Sequence, residues 1–423
     1  MNLIASRTLV NKLINSAKPN LLILTSSFPR NAQDETCGYV RDFARNLSKE
    51  FDVRVLTLPD DQATEWPEDV FTLMRSRTLL PSALNRAQAS SDLNSLVTDG
   101  LIVKLATGFD LLSYFLRAFL LALRADAICS HWMVPCGLIG AIIARLQGKP
   151  HIVIEHSGAL HLLARMRGGS FLSRFVTGNS HRVITVSQDL KSKLLALCPT
   201  ANSKVEVIPI GVKLSPRTPA YRPATGKKTV LFIGRLTPIK GLNVLLDALR
   251  GLRRVQLIVA GDGEQRRELE SLAKRLSIDA QFLGRVTAQE RDSLLLATDV
   301  VVIPSLTLEC GRTEGMPVVC LEAMAAGRAV VASRAGGLSE IINDGENGPL
   351  FEPGNSQMLS VKLKMLFDDA ALSENIAQRA RETASAFGWE TVGPRFARVI
   401  KDSLRSNEPV INNQRYKTEN ANG

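Results

Sequence analysis

Glu314 and Glu322 stand with seven residues between them in the stretch E-G-M-P-V-V-C-L-E, which continues through A-M-A-A-G to S-R-A-G-G at Gly337. Pro317 suits a first helical position, where its missing N–H would have no intrahelical partner anyway. The sequence therefore predicts a helix from Pro317, with Gly327 as its C-terminal stop. Val318, Val319, Leu321, Ala323, Met324, Ala325 and Ala326 make that helix apolar on nearly every face. Glu322 is then a charge among buried neighbours, and a buried carboxylate is costly unless a donor pairs with it. A pair of ligand hydroxyls is one such donor.

A second chemical feature is the loop G-R-L-T-P-I-K-G, Gly234 to Gly241. It lies between a predicted strand and a predicted helix. Its glycines let a ligand approach the backbone, while Arg235 and Lys240 place two positive charges near a helix N-terminus, which suits a phosphate or diphosphate. An ordinary basic loop would look the same in isolation, and the G-x-x-x-x-G-K-[ST] signature of the ATPase P-loop is missing. The G-D-G-E run at Gly261 to Glu264 invites a dinucleotide reading, but Arg266 stands where the third glycine of G-x-G-x-x-G belongs.

Of the five histidines, His131 and His156 follow predicted strands at Asp126 to Ser130 and Ile152 to Glu155. Strand ends of this kind face a ligand cleft, so either ring could reach a substrate. The pair has no suitably spaced third ligand for a metal.

Short apolar runs alternate with helical patterns along both halves, which predicts parallel α/β units with right-handed crossovers. Strands are predicted at Asn20 to Ser26, Phe51 to Leu58, Asp126 to Ser130, Pro150 to Glu155, His181 to Ser187 and Val205 to Ile210. The second half adds Thr229 to Ile233, Val255 to Ala260, Gln281 to Leu283, Asp299 to Pro304 and Ala329 to Ser333. The predicted fold is α/β, two doubly wound Rossmann-like domains facing across a cleft. Its divisions are a basic N-terminal extension at 1–18, a first domain at 19–214, a proline-rich linker at 215–228, a second domain at 229–386, a crossover helix at 387–405 and a disordered tail at 406–423. Pro59 to Thr107 carries no firm periodicity. After it, Leu111 to Leu123 is apolar on nearly all faces but short and interrupted by Arg117, so it reads as a buried or interface helix, or as one that lies on a membrane.

The net charge of +11 on 423 residues calls for an acidic partner. With aromatics at 5% and no stacking pattern among the basic residues, nucleic acid is not favoured. Six scattered cysteines without a C-x-x-C pair point to a reduced, cytoplasmic protein. No apolar run near Met1 has the length of a signal peptide, and Arg7, Lys12 and Lys18 leave either a basic amphipathic helix or a disordered extension.

Taken together, G-R-L-x-x-x-K-G, E-x7-E, S-R-A-G-G-L-S-E and H-S-G resemble the retaining glycosyltransferases of family 4, with the GT-B fold, over roughly residues 19–404. The resemblance implies that Arg235 and Lys240 hold the diphosphate of a nucleotide sugar and stabilise the leaving group. It implies that Glu322 accepts the ribose hydroxyls, and that Glu314 faces the transferred sugar beside the backbone of Gly315 and Met316. Arg285 and Val286 would lie along the base, His156 near the reacting carbon, and Gly38 in the first-domain loop by the diphosphate. Gly234 and Leu321 complete the implied donor-binding set. Two departures from the family pattern stand out: His-Gly is replaced by His156-Ser157-Gly158, and a glycine pair by Cys37-Gly38.

The function this implies is transfer of a hexose, with retention, from a nucleotide diphosphate sugar to a glycan or lipid-linked acceptor, without cofactor or metal. The positive charge fits peripheral attachment to an anionic membrane surface. A sugar phosphorylase on the same fold and a catalytically inactive scaffold are the alternatives.

Overall fold

The structure, a computed structural model, describes residues 18–407 apart from 32, 35, 65–69, 78–100, 215–225 and 310, and of 101–106 only the helical backbone. The N-terminal extension before Lys18, most of the linker and the tail after Asn407 therefore lie outside the described residues, and Ser406, expected in the tail, is the last residue of the final helix.

The chain folds around two sheets, parallel throughout. The first holds β1 (Asn20–Thr25), β2 (Asp52–Thr57), β3 (Thr72–Arg75), β4 (Ala127–His131), β5 (His151–Glu155), β6 (Arg182–Thr185) and β7 (Val205–Val207), in spatial order 3-2-1-4-5-6-7. The second holds β8 (Lys228–Ile233), β9 (Val255–Ala260), β10 (Ala280–Gly284), β11 (Val300–Ile303), β12 (Ala329–Ser333) and β13 (Leu350–Phe351), in order 10-9-8-11-12-13. Helices cover both faces, so the strands are apolar on both sides: Leu21, Leu22, Ile23 and Leu24 are all buried, as are Val300 to Ile303.

The helices of the first half are α1 (Gly38–Leu47), α2 (Leu101–Ala122), α3 (Leu138–Gln147), α4 (Gly158–Arg165), α5 (Gly169–Gly178) and α6 (Gln188–Leu197). The second half holds α7 (Leu242–Leu249), α8 (Arg266–Arg275), α9 (Ala288–Ala297), α10 (Val318–Ala325), α11 (Leu338–Ile341), α12 (Ser356–Asp368), α13 (Ala370–Ser385) and α14 (Trp389–Ser406).

The last helix returns to the first sheet's core. Phe396 meets Phe43 of α1 edge-on at 5.1 Å between ring centroids, and Trp389 packs beside the same ring. Val212 is held from both sides of Gly388 at this crossing: its N–H donates to the Phe387 carbonyl at 2.9 Å, and its carbonyl accepts the Trp389 N–H at 3.2 Å.

Three sequence expectations shift. Pro317 is the residue before α10 rather than its first helical one; its ψ of 109° keeps it extended. His131 closes β4 instead of following it. The apolar helix begins at Leu101, well before Leu111, and β3 lies in the stretch that showed no periodicity.

In each sheet the strand order reverses beside the first strand, between β1 and β4 and between β8 and β11. Loops leaving the carboxyl ends of those four strands define the crevice where open α/β sheets take ligands.

Candidate functional site

The second sheet supplies a charged wall. After β8, the loop Gly234–Gly241 tightens into a short 3-10 turn at Pro238–Lys240, which carries Lys240 back toward β11. There its Nζ lies 2.7 Å from Oε1 of Glu314. Ser305, just beyond β11, donates to the same carboxylate oxygen at 3.4 Å. The Glu314–Gly315 turn rests on the S-R-A-G-G segment, because the Gly337 N–H donates to the Gly315 carbonyl at 3.0 Å.

On α10, Glu322 does not wait for a ligand to find a donor. Arg291 of α9 reaches it at 3.2 Å, with both side chains 18% exposed. Arg285 and Val286 lie just after β10 and lead into α9, the first exposed and the second half-buried. Leu321, expected in the donor-binding set, is fully buried in the core under α10, so its side chain packs rather than binds. Met316 packs against both cores and lines the junction between the sheets. The glycines of G-D-G-E also have a packing reason: a Cβ at Gly263 would run into the backbone of Leu236, so this turn braces the Arg235 loop.

The first sheet supplies a neutral wall built on strained backbone. Nδ1 of His131 lies 2.8 Å from Nε2 of His156, and their rings are within 3° of coplanar. Tyr39 and Trp132 close around His156, with centroids 4.9 and 5.3 Å away. Burial pushes the His156 imidazole down to about 3 and holds His131 well below the usual histidine range, so both rings are neutral.

Cys37, Trp132 and Ser157, with φ of 55°, 64° and 144°, surround this pair. Positive φ on a residue bearing a side chain costs about 1–3 kcal/mol and gathers at functional sites. Cys37 and Ser157 are the two positions where the sequence departs from the family's glycines. Each keeps a backbone that glycine would adopt without strain.

Glu155 holds that turn. Its side chain is fully buried, and it accepts the N–H of Met133 at 2.9 Å and of Ser157 at 2.9 Å. Burial raises its pKa, and the backbone N–H groups of Met133, Ser157, Leu160 and Ala159 oppose that rise. The carboxylate thus ties the end of β4 to the start of α4, with His156 between.

The two walls touch. A Cβ added at Gly315 would collide with the His156 carbonyl oxygen and lie 3.0 Å from the Ser157 Cβ, so no other residue fits at 315 without parting the sheets. Nearby, the Glu340 carboxylate accepts the N–H groups of Gln188 and Asp189 at 2.7 and 2.9 Å, capping the N-terminus of α6 from across the cleft. Arg235 is exposed, and its positive charge bears on Cys37 and Tyr39 opposite.

Arg235, Lys240, Glu314, Gly315, His156 and the Gly38 loop therefore converge, while Glu322, Arg285 and Val286 line one further stretch of the second wall. Arg291 and Glu155 escaped the sequence reading, and Glu340 entered it only as the last residue of S-R-A-G-G-L-S-E, with no role. A carboxylate closing the apolar run H-I-V-I-E was a usable signal for Glu155; Arg291 lies in a helix with several charges and gave none.

Two parallel doubly wound sheets, closed on each other by a returning C-terminal helix, define the GT-B fold. Residues 38–215 match the family model Glycosyltransferase Family 4, and residues 218–383 match Glycosyl transferases group 1. The chain belongs to this glycosyltransferase family.

Among its relatives, an uncharacterized glycosyltransferase of Methanocaldococcus jannaschii is 30% identical over 302 residues, covering 65% of this chain and 75% of that one. A D-inositol 3-phosphate glycosyltransferase of Arthrobacter sp. is 31% identical over 296 residues, covering 63% and 68%. In fold, the chain is similar to Anabaena HepE in complex with UDP and glucose, with a TM-score of 0.69 at 21% identity over 90% and 99% of the two chains.

Proposed function

We propose that the protein transfers a hexose, with retention, from a nucleoside diphosphate sugar to a glycan or lipid-linked acceptor in polysaccharide or glycolipid synthesis. The observation that carries this reading is the Lys240–Glu314 pair, set against His156 where the walls meet. Lys240 and Arg235 supply the positive charge that a departing diphosphate needs, so this reading calls on no metal. Glu314, released from Lys240 by the diphosphate, is free to accept hydroxyls of the transferred sugar. Glu322, oriented by Arg291, receives the ribose. With Glu155 enclosed by backbone N–H groups, leaving and attack on one face of the sugar suit this site better than a covalent intermediate.

The UDP and glucose of the Anabaena complex support a sugar-nucleotide donor, and the name of the inositol phosphate glycosyltransferase relative supports glycosyl transfer. A thermal-shift screen of UDP, GDP and ADP sugars tests it: a donor at a hundred times its dissociation constant adds about 2.7 kcal/mol of stability. The responding sugar is then assayed for transfer with the native chain and with Glu322→Ala. Release of a sugar phosphate from a glycan and inorganic phosphate would make the protein a phosphorylase instead, and failure to bind any nucleoside diphosphate would make it a scaffold.

A membrane-borne acceptor is favoured by α2. One face of this helix is buried through Tyr114, Ala118 and Ala122. The opposite face exposes Phe109, Leu112, Leu116 and Leu120 in one continuous stripe, with the exposed Leu123 and Arg124 after the helix end. Among the described residues no helix is long and apolar enough to cross a membrane, so the stripe would lie on an anionic surface rather than span it. Sedimentation with anionic vesicles should fall sharply in Leu116→Glu/Leu120→Glu; unchanged binding would remove the membrane from the reading. The sequence-based expectation for Arg7 and Lys12 lies outside the described residues.

A further inference from the structure

His131 has no role assigned in the reaction, yet it is the direct neighbour of His156. It is fully buried, walled by Phe43 at 5.0 Å and Trp132 at 6.1 Å between ring centroids. Its Nδ1 faces Nε2 of His156 at 2.8 Å, and its own Nε2 is buried with no hydrogen-bond partner among the described residues. A single proton joins the two rings, because neither is charged and two bare or two protonated nitrogens would repel at this distance.

That proton has two places to sit. If it belongs to His156, then His131 must carry its own proton on Nε2, an N–H sealed in the core with nothing to receive it. If it belongs to His131, then Nε2 of His131 is a bare lone pair, and the N–H left over is that of His156, which is only partly buried and so is not sealed in the core. Proteins leave buried acceptors under-satisfied more readily than buried N–H groups, so the second arrangement wins.

The consequence falls on the other nitrogen of His156. A neutral imidazole that accepts at Nε2 must carry its proton on Nδ1. Nδ1 of His156 makes no hydrogen bond to the described residues, and the ring is partly open at the cleft.

We infer that His131 is a positioning residue that donates its Nδ1 proton to His156 and thereby fixes His156 as the Nδ1–H tautomer, a hydrogen-bond donor to an oxygen of the substrate rather than a base. The tautomer follows from the protein alone, and its use in transfer rests on the proposed function. On that reading His156 stabilises negative charge on oxygen during transfer, and the acceptor's proton must leave by another group, a role that a departing diphosphate is chemically suited to fill.

The tautomer can be read directly. With only five histidines in the chain, long-range proton–nitrogen correlation spectra of the full-length protein labelled with nitrogen-15 histidine resolve them, and His156→Gln assigns the signal. A protonated Nδ1 and a bare Nε2 on His156 are expected; a protonated Nε2 overturns the inference whatever the enzyme transfers.

Two variants test the consequence. His131→Gln keeps an amide donor in the position and should retain kcat within about tenfold, while His131→Leu removes the donor and should lose more than that. KM for the donor sugar should stay near native in both. Equal kcat in a folded His131→Leu protein overturns the positioning role. If either variant fails to fold, the spectra of the native chain still decide the tautomer. Loss of all nucleotide binding by the native chain would sink the proposed function and leave the tautomer to be judged by the spectra.

Discussion

The two walls of the cleft solve the same problem with opposite materials. The second-sheet wall carries full charges, Lys240 with Glu314 and Arg291 with Glu322, each pair partly exposed and able to exchange its partner for a ligand. The first-sheet wall carries neutral rings, a carboxylate enclosed by backbone N–H groups, and three side chains on positive-φ backbone. Charges that must change partner are kept at the edge, where water lowers the cost of separating them. Groups that must hold one geometry are buried, where a lost hydrogen bond is expensive. One wall is therefore tuned for exchange and the other for precision.

The contrast can be broken most forcefully at Lys240. Lys240→Ala should lower kcat by about two to three orders of magnitude, the usual effect of deleting one preorganised electrostatic group, with an unchanged circular dichroism spectrum. A loss under tenfold would detach the charged wall from the chemistry.

The next largest effect is expected at Arg291, whose removal should raise donor KM about tenfold. In a double-mutant cycle with Glu322→Ala the coupling should be about 1 kcal/mol and should shrink at high salt, because both groups are near water.

A pH titration of stability probes the neutral side. His151, at the base of the first sheet between the Ser130 and Ser180 hydroxyls at 2.9 and 3.0 Å, is held down to about 3 by burial. Its folded pKa lies below the unfolded value of about 6.5. The unfolded chain therefore binds the extra proton first as pH falls. The stability from this group is complete above about pH 6.5 and declines toward pH 3, with a slope of about 1.4 kcal/mol per pH unit in between. Denaturant melts at several pH values, compared with His151→Gln, should show the native slope and its reduction in the variant.

The smallest effect is expected at Ser157. Replacing it by glycine relieves about 1–3 kcal/mol of backbone strain, less roughly 0.4–1 kcal/mol of added chain entropy, so the melting temperature should rise slightly. A lower melting temperature would show that the serine hydroxyl outweighs the strain.

Legibility in the sequence follows the same division. All strands but β3 and β13 were readable because a parallel sheet covered on both faces needs unbroken apolar runs, and β9 and β12 fall at their predicted bounds. The charged wall was readable because close backbone approach demands glycine and phosphate demands cations, so type and spacing together carry the information. The neutral wall was only half readable. The strand-end histidines were visible, but their mutual bond depends on two strands adjacent in space and separated by a helix. Glu155 is also a common residue in a common place until its four N–H donors are seen. Arg291 was invisible because helix α9 carries other charges and only tertiary packing turns this one toward Glu322.

One contact ties the two walls together. Glu340 grips the start of α6 through two backbone N–H groups, close to where Gly315 meets His156 with no space to spare. On the proposed function, a sugar entering between the walls here would meet this grip first, and its release would then set part of the pace of turnover. Because the grip joins an exposed carboxylate to a helix end, added salt should hasten that release while slowing nothing at the buried histidines. Turnover limited by release would rise with salt and fall with solvent viscosity.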